Sequence, residues 1–501
     1  MQAESTAEQD GILGGLIRRR TALWFLGLFP LIILFSFLLY RIDLKFGMAG
    51  GERRDALFGI FQAGMALVLA ALGFTELRKK VPGAAVKWLP IALCLAFSFH
   101  VLTLLSEMPA KSGDYFCFER GARAAVEHRT LYYGTRYEYP PLMAQVMGLC
   151  YKGLVKASPR FMTPGLNPEQ GWFALFFIYQ ALQFLWIVLL FFLLRGLGMR
   201  LGFRDPWLTL LVTALLVFNT PLVRAIRYNQ TNTFVLDLIL LAFVARKRGE
   251  IAGGFAAAFG ALFKFYPVML ALPWLVLRRI RSLVSFALCG VILIAFQTKG
   301  FRDFTNYLQA LDFFMNHYPR YSWMHNNCFI SIFDNTLNLF RHHVYYVPQE
   351  TMRAVASVLA RLAVAGVVVW FGWRLFRREK SYRDAVAAAS PGEARNLAFL
   401  RGTGHLMDML PLMLLVSPSI WEHHFLLMLP FALWAVAVRG GRFPIRIAIA
   451  LFLIFVPPLI TIYPFSYHRL LGLFMLVILV PPLPLSGDAL PGPFRTVPDP
   501  A

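Results

Sequence analysis

The sequence predicts an all-α polytopic membrane protein, and three properties of the 501-residue chain support this fold class. Apolar side chains make up 58% of the residues and charged ones only 15%, against about 25% charged in an average soluble protein. Apolar runs of about 20 residues, enough for a helix to cross a bilayer, recur along the chain. The net charge of +22 lies mostly in short clusters between these runs. A soluble globule is therefore excluded, and the charge indicates membrane orientation rather than nucleic-acid binding.

The predicted spans follow the apolar runs in order. The run at 22–40 comes after Arg18-Arg19-Arg20 and has no small-residue cleavage site behind it, which is typical of a retained signal anchor. Starting from a cytoplasmic amino terminus, alternating spans place most basic clusters on the cytoplasmic side of a cell (inner) membrane. We predict about twelve spans, at 22–40, 56–75, 88–105, 172–194, 207–223, 232–245, 282–297, 354–376, 405–417, 420–438, 445–463 and 470–486.

The apolar segment 252–277 breaks this alternation. Basic clusters flank it at both ends, and Tyr266-Pro267 interrupts its centre. Its arms, 252–264 and 267–277, are each about 13 residues or fewer, which at 1.5 Å per residue gives roughly 20 Å. Because the hydrocarbon core is about 30 Å thick, neither arm can cross it. We interpret the segment as a re-entrant hairpin.

A single integral membrane domain is predicted over 1–480, with two long outer loops at 106–171 and 299–353. Residues 142–157 of the first loop are amphipathic and should form a helix along the outer membrane surface. The segment 481–501 is rich in proline and has no run long enough to span, so we expect a disordered cytoplasmic tail. Five cysteines without a Cys-x-x-Cys pair indicate neither a disulfide framework nor a zinc site.

Unusual polar residues collect at the predicted outer face. They lie shortly after the third span, between the fifth and sixth spans, and between two later spans: Asp114, Tyr115, Arg227, Gln230, Asn232, Glu422, His423 and His424. Lys264 stands beside the hairpin break, and Arg361 lies inside the span 354–376. A charge at membrane depth costs about 3 kcal/mol or more unless it is paired or hydrated. Lys264 and Arg361 are therefore candidates for function.

Each of these residues also has a purely structural explanation. Asp114 alone fits a solvated loop carboxylate, and Arg227 alone fits a side chain that extends to lipid headgroups. His423 and His424 alone fit interfacial residues that cap a helix after Ser-Pro. Neighbours on a helix point about 100° apart, so at most one of the two histidines is expected to face a given substrate.

The set as a whole indicates a specific kind of chemistry. It combines one outer-face carboxylate with several cations and amide side chains, whereas the sequence shows no nucleotide-binding loop and no metal-ligand cluster. A sugar on a lipid phosphate carries an anionic leaving group. Transfer of that sugar needs one base for the attacking hydroxyl and cations for the phosphate, whereas a glycoside hydrolase uses two carboxylates. Asp114 would supply the base, and neither a cofactor nor a metal is predicted.

Four motifs resemble one known family. In chain order they are Asp114-Tyr115 with Leu131-Tyr132-Tyr133 and Tyr137-Glu138-Tyr139-Pro140-Pro141, then Arg227-Tyr228-Asn229-Gln230-Thr231-Asn232, then Ala252-Gly253-Gly254 through Lys264-Phe265-Tyr266-Pro267, and finally Ser417-Pro418-Ser419-Ile420-Trp421-Glu422-His423-His424. Over roughly 110–430 they resemble glycosyltransferase family 87, the polyprenol-phosphate-mannose-dependent alpha-mannosyltransferases. Asn229 stands where that family usually has glycine, and three predicted spans precede Asp114 where many related enzymes have one.

The resemblance implies a type-C glycosyltransferase fold, a lipid-linked donor in the outer half of the membrane and an inverting single displacement. Asp114 matches the catalytic base, and His423 and His424 match residues near the donor phosphate. The remaining candidates divide into two groups. We expect Arg227, Lys264, Gln230 and Asn232 to bind the phosphate or sugar of the donor, and Tyr115, Tyr139, Glu422 and Arg361 to contact the acceptor or to support the site.

The leading hypothesis is transfer of mannose, or a related hexose, from a polyprenyl-phosphate donor to a glycan or glycolipid hydroxyl at the periplasmic face. A second enzyme hypothesis keeps the fold but transfers arabinose or a phospho-group. The alternative from another class is a transporter or lipid flippase. A flippase should have polar residues on a path to both faces, whereas here the uncharged polar residues and histidines gather at one face.

Overall fold

The computed structural model describes residues 114–129, 131–132, 137, 139–157, 169–203, 207–244, 249–312, 326–343, 349–438, 445–457 and 463–482. The predicted spans at 22–40, 56–75 and 88–105 lie outside the described residues, and so does most of the Pro-rich tail.

Helices make up the described part of the chain, which contains no strand. In chain order they are α1 (Asp114–Val126), α2 (Pro141–Ala157), α3 (Glu169–Arg200), α4 (Trp207–Val217), α5 (Thr220–Arg227), α6 (Asn232–Val244), α7 (Glu250–Ala261), α8 (Ala271–Val276), α9 (Ile280–Gln297), α10 (Phe304–Asp312), α11 (Phe329–His343), α12 (Gln349–Val386), α13 (Pro391–Leu415), α14 (Leu429–Val438), α15 (Ile445–Phe455) and α16 (His468–Leu479). Short 3₁₀ helices occur at Tyr266–Leu270, Glu422–Met428 and Phe465–Tyr467. The all-α prediction is confirmed for these ranges.

Within the described ranges, three helices are long and apolar enough to cross a membrane: Gly171–Arg200, Ile280–Gln297 and Glu350–Val386. Leu208–Val217 and Thr220–Arg227 together would make a fourth, bent by 52°. Other apolar helices in the described part are shorter, at 10–17 residues. These helices fit a membrane protein, and the total of about twelve spans stays a prediction.

Two predicted spans are less regular than the hydropathy suggested. The bend inside 207–223 arises because Asn219 caps α5, where its side-chain oxygen accepts a hydrogen bond from the Leu222 backbone N–H at 2.7 Å and Pro221 lies in the first turn of the new helix. The span predicted at 420–438 begins as the 3₁₀ helix Glu422–Met428 and continues as α14. Local capping and 3₁₀ geometry are not visible in a hydropathy pattern.

The break predicted inside 252–277 is confirmed. α7 ends at Ala261, and the chain turns through Lys264 before the 3₁₀ helix Tyr266–Leu270 and α8. α7 packs closely against α9, because a Cβ atom at Gly254 would overlap the backbone carbonyl oxygen of Ser282. The Ser285 hydroxyl also donates to the Ile251 carbonyl at 2.7 Å. Whether this segment enters and leaves the bilayer on one side stays a prediction.

The helix predicted at 142–157 is present as α2. Met143 and Met147 on one side of it are buried, whereas Lys152 and Lys156 are exposed. This pattern agrees with the predicted amphipathic character. Its position along a membrane surface stays a prediction.

The chain divides into two compact units. The first comprises the chain up to Phe116 together with Leu149–Thr233, and the second comprises Cys117–Gly148 and Phe234–Ala501. The single domain predicted over 1–480 stays a prediction, because the first 113 residues are not described.

A buried network of charges ties helices together in the second unit. Arg374 and Arg378 on α12 both bind the carboxylate of Asp408 on α13, at 3.0 and 2.7 Å. Arg374 also donates to the carbonyl oxygens of Val477 and Val480 at the end of α16, at 3.2 and 3.0 Å. Buried charges are costly unless they are paired, and here each guanidinium has several acceptors. The network therefore links α12, α13 and α16.

Candidate active site

The predicted base, Asp114, begins helix α1 and contacts a second predicted site residue. Its backbone N–H donates to the Tyr228 carbonyl at 2.7 Å, and its carboxylate oxygen Oδ2 accepts a hydrogen bond from the Gln230 side-chain amide. A helix amino terminus favours a negative charge, and the amide fixes the direction of the carboxylate. The structure thus brings Asp114 together with the 227–232 motif within the first unit.

The turn that carries Gln230 has an unusual backbone conformation. Asn229 has φ +53°, in the left-handed region that glycine adopts easily and that asparagine tolerates better than most residues. Its side-chain oxygen accepts a hydrogen bond from Gln180, and its carbonyl accepts one from the Tyr179 hydroxyl at 2.6 Å. Two side chains of α3 therefore hold the turn in place.

Tyr115, Arg227 and Asn232 surround this turn in different environments. Tyr115 is buried, its hydroxyl donates to the Trp172 carbonyl at 3.2 Å, and its ring packs edge-on against Phe176. Asn232 is fully buried at the start of α6, whereas Arg227 is half-buried at the end of α5. The contacts of Tyr115 anchor α1 to α3.

A second group of predicted residues meets around Lys264 in the second unit. The Lys264 ammonium lies 5.7 Å from the centre of the Tyr139 ring, a cation–π geometry. The backbone carbonyl of Tyr139 accepts a hydrogen bond from the Tyr132 hydroxyl at 3.3 Å, and its ring packs against Phe118. Tyr139 is thus held from two sides beside the hairpin break.

Tyr137 stabilises the segment that carries Tyr139. It is buried, and its hydroxyl donates to the Pro140 carbonyl at 2.8 Å and accepts from the Ala144 N–H at 3.2 Å. Burial raises the pKa of the Tyr137 phenol well above its ordinary value, so the hydroxyl remains a donor. A side chain at Gly121 would overlap the Tyr137 ring. α1 therefore packs directly on this tyrosine.

His424 lies within electrostatic reach of Lys264. Its Nδ1 atom accepts a hydrogen bond from the Trp421 backbone N–H at 2.9 Å. Because a backbone N–H can only donate, Nδ1 carries no proton, and the proton of the neutral ring lies on Nε2. His424 therefore presents an N–H donor through Nε2, and it is half-buried. Tyr139, Lys264 and His424 form the lysine cluster of the second unit.

The neighbouring residues of His424 are more enclosed. His423 is buried, and its ring packs 4.5 Å from the His424 ring. The buried carboxylate of Glu422 accepts a hydrogen bond from Arg469 at 3.3 Å, and Arg469 also donates to the carbonyl oxygens of Ile454 and Pro457. Arg469 thus holds the start of the 3₁₀ helix that carries both histidines.

The loop before this helix is held by the second predicted outer loop. The Asn327 N–H donates to the Ile420 carbonyl at 2.7 Å, and the Ile420 N–H donates to the Asn326 side-chain oxygen at 2.8 Å. The Asn326 amide also contacts the Ser419 hydroxyl at 3.4 Å. These reciprocal bonds fix the direction in which Trp421 and the histidines leave the loop.

Arg361 lies away from these contacts, exposed on the surface of α12. Its predicted role at the acceptor stays a prediction. In the described part of the chain, no group of three or more His, Cys, Asp or Glu side chains is arranged to hold a metal ion.

Sequence reasoning missed several residues that position the site, namely Gln180, Gln183, Asn326 and Asn327, and it placed Arg469 at the outer face without giving it a role. The Gln183 amide donates to the Gln230 carbonyl at 3.4 Å. Gln180 and Gln183 are buried polar residues in an otherwise apolar span. Polar residues inside such a span often have a function, so their presence could have identified them from the sequence. The asparagines and Arg469 act through contacts between segments far apart in the chain, and no local pattern marks such contacts.

Each unit carries a group that is useful for catalysis. The first unit holds an oriented carboxylate, and the second holds an ammonium group within electrostatic reach of an imidazole N–H donor. A carboxylate accepts a proton, and cationic or N–H donors stabilise developing negative charge. These are the functions required for transfer from an anionic leaving group.

Comparison with known protein families identifies the chain. The model of glycosyltransferase family 87 matches residues 139–418, which is more than half of the chain. The match includes Tyr139, Arg227, Gln230 and Lys264, begins after Asp114 and ends before Glu422. No curated protein and no solved structure matches the chain. The chain belongs to glycosyltransferase family 87, a family of membrane glycosyltransferases.

Proposed function

We propose that this glycosyltransferase moves mannose, or a related hexose, from a polyprenyl-phosphate donor to a hydroxyl of a glycan or glycolipid at the periplasmic face. The contact between Gln230 and the Asp114 carboxylate carries the proposal, because it orients a base at the start of a helix. Family membership favours glycosyl transfer over transport. A polyprenyl tail keeps the donor in the membrane, so no soluble nucleotide sugar is needed outside the cell.

The reaction is a single displacement. Asp114 accepts the proton of the acceptor hydroxyl as the hydroxyl oxygen attacks the anomeric carbon of the sugar. The bond between that carbon and the phosphate oxygen breaks on the opposite face, and polyprenyl phosphate leaves with the electron pair. The configuration at the anomeric carbon is inverted. The Gln230 amide holds one carboxylate oxygen of Asp114 and thereby fixes the direction in which the carboxylate meets the acceptor hydroxyl.

Cationic groups stabilise the leaving phosphate. In this proposal Lys264 and Arg227 supply positive charge to the phosphate, and the Nε2–H of His424 donates a hydrogen bond to it. The side-chain amides of Gln230 and Asn232 form hydrogen bonds with the sugar. Removing one such donor from an enzyme typically costs about 3–4 kcal/mol of transition-state stabilisation. Tyr139 and Glu422 support this group by holding Lys264 and the histidine helix, respectively.

Asp114→Asn tests the base. The amide cannot accept the acceptor proton, so transfer should fall by at least about 100-fold, whereas donor binding and folding are retained. The assay uses purified protein with radiolabelled polyprenyl-phosphate mannose. Glu119→Gln removes another half-buried carboxylate from the same helix and should keep near-normal turnover. Near-normal turnover of the Asp114→Asn variant would show that Asp114 is not the catalytic base.

Lys264→Ala tests the phosphate contact. Loss of the ammonium group should raise the KM for the donor about tenfold or more, with little change in the KM for the acceptor. Lys380→Ala, which removes an exposed lysine from α12, is the matched control and should leave both constants unchanged. An unchanged donor KM for Lys264→Ala would place the phosphate contact elsewhere.

A further inference from the structure

A cavity of about 360 Å³ lies where α7 and α9 begin, apart from the lysine cluster. Glu250, Arg278, Ile280 and Arg281 line it. Its volume is within the range of about 300–1,000 Å³ that is typical of small-molecule sites. It belongs entirely to the second unit, and none of the residues proposed for glycosyl transfer contributes to it.

The charge of this cavity is predominantly positive. Glu250 interacts electrostatically with the half-buried Arg279, which is not one of the lining residues. Arg278 and Arg281 are exposed, and neither forms an ion pair or a side-chain hydrogen bond with any residue of the described ranges. Two guanidinium groups are therefore available to a ligand. A guanidinium group offers several N–H donors in a plane that matches phosphate oxygens.

The helix ends strengthen the preference for an anion. α7 begins at Glu250 and α9 at Ile280, and neither helix has a side-chain hydrogen bond at its N-cap. Both first residues line the cavity. The amino terminus of a helix carries a partial positive charge and presents backbone N–H groups. The two helix ends thus add to the charge of the arginines.

The left-handed backbone of Arg278 belongs to the end of α8. Its φ is +53°, and the N–H groups of Arg278 and Arg279 donate to the carbonyl oxygens of Leu275 and Trp274 at 3.1 and 2.8 Å. These bonds form a Schellman motif, in which glycine usually takes the left-handed position. The motif fixes the backbone from which the Arg278 side chain extends.

An apolar surface leads away from the cavity along α9. Ile280, Val284, Leu288 and Ile292 follow one another at intervals of four residues, and each is at least half exposed. Residues four apart lie on one face of a helix. Because α9 is long and apolar enough to cross a membrane, this face suits an acyl chain, and Arg278 and Arg281 lie at the end of the helix where the headgroup of such a lipid would be.

We propose that this cavity binds the anionic headgroup of a glycerophospholipid, with Arg278 and Arg281 on the phosphate and an acyl chain along the Ile280–Ile292 face of α9. Charge complementarity selects an anionic over a zwitterionic lipid, and the continuous apolar face selects a lipid over a soluble phosphate. The site is separate from the donor site and does not depend on the proposed sugar transfer.

Native mass spectrometry of the full-length protein tests the proposal. The protein is purified in detergent with equal amounts of phosphatidylglycerol and phosphatidylcholine, and the lipids that stay bound are counted. The unaltered protein should retain phosphatidylglycerol preferentially. Arg278→Gln combined with Arg281→Gln should lower its apparent affinity about tenfold. Lys380→Gln with Arg383→Gln removes the same charge from the exposed end of α12 and should not change retention. An equal loss of phosphatidylglycerol retention in both double variants would overturn the proposed site.

Two further measurements separate binding from folding. Arg278→Gly relieves the left-handed backbone, so its melting temperature should equal or exceed that of the unaltered protein while phosphatidylglycerol retention falls. Unchanged retention in Arg278→Gly and in Arg281→Gln would overturn the proposal. Inorganic phosphate alone should not raise the melting temperature. Stabilisation by phosphate equal to that by phosphatidylglycerol would indicate a soluble anion and would overturn the lipid assignment.

Discussion

Asn229 shows how one residue shapes the candidate site. The resemblance to family 87 places glycine at this position, and the structure gives a reason for both choices. The residue has φ +53°, which glycine adopts without strain and asparagine adopts at modest cost. Asparagine adds a side chain that accepts a hydrogen bond from Gln180. The turn beside Asp114 is therefore fixed by a contact that glycine cannot make.

This interpretation predicts an unusual order of stability. Asn229→Gly loses only the bond to Gln180, which leaves a buried amide group unsatisfied at a cost of about 1–3 kcal/mol. Asn229→Ala loses the same bond and also pays about 1–2 kcal/mol for the left-handed backbone. Thermal unfolding in detergent should therefore rank the alanine variant below the glycine variant. The opposite rank, or equal stability, would contradict the backbone assignment.

At the scale of elements, close packing of α7 on α9 sets the position of the hairpin that carries Lys264. Gly254 allows the contact, because a Cβ atom there would overlap the Ser282 carbonyl oxygen and lie 2.8 Å from the Ser285 Cβ. Small residues permit such close approach of helices in membranes. The position of Lys264 thus depends on a glycine ten residues earlier in the chain.

Gly254→Ala should push α7 and α9 apart. Overpacking against backbone typically costs about 1–3 kcal/mol, so the melting temperature should fall and the donor KM should rise as Lys264 shifts. Gly290→Ala is the matched control, since it lies in α9 with nothing within 4 Å of its added Cβ. That change should be neutral or stabilising by up to about 1 kcal/mol. Equal melting temperatures for the two variants would refute the packing argument.

At the scale of the whole molecule, the net charge of +22 and its clustering predict the orientation. Glu127, between α1 and α2, belongs to the predicted outer loop, whereas Asp384, near the end of α12, belongs to a predicted cytoplasmic segment. Both residues are exposed in the structure. They offer a matched pair of positions for a labelling experiment.

Single cysteines at these positions test the orientation after the five native cysteines are replaced by serine. Glu127→Cys should react with an impermeant maleimide in intact cells. Asp384→Cys should react only after the membrane is opened, because positively charged loops stay in the cytoplasm. The reverse pattern would invert the topology and place Asp114 on the cytoplasmic side.

Much of the candidate site was predictable, but its internal contacts were not. Polar residues in an apolar chain stand out by type alone, so Asp114, Lys264 and His424 are recognisable from the sequence. The partners of these residues are not local. The contact between Gln230 and Asp114 joins residues 116 positions apart, and Glu422 and Arg469 are 47 positions apart. Such pairs depend on how helices pack.

The sequence by itself determined the helical fold class, the break near Lys264 and the family, because hydropathy, helix-breaking residues and motif order are properties of the linear chain. The tertiary structure decided which candidates have partners. It buried Tyr115 against α3, gave Glu422 an arginine partner and left Arg361 exposed on α12. These outcomes depend on helix rotation and packing, since a rotation of about 100° per residue decides whether a side chain meets a neighbour or faces outward.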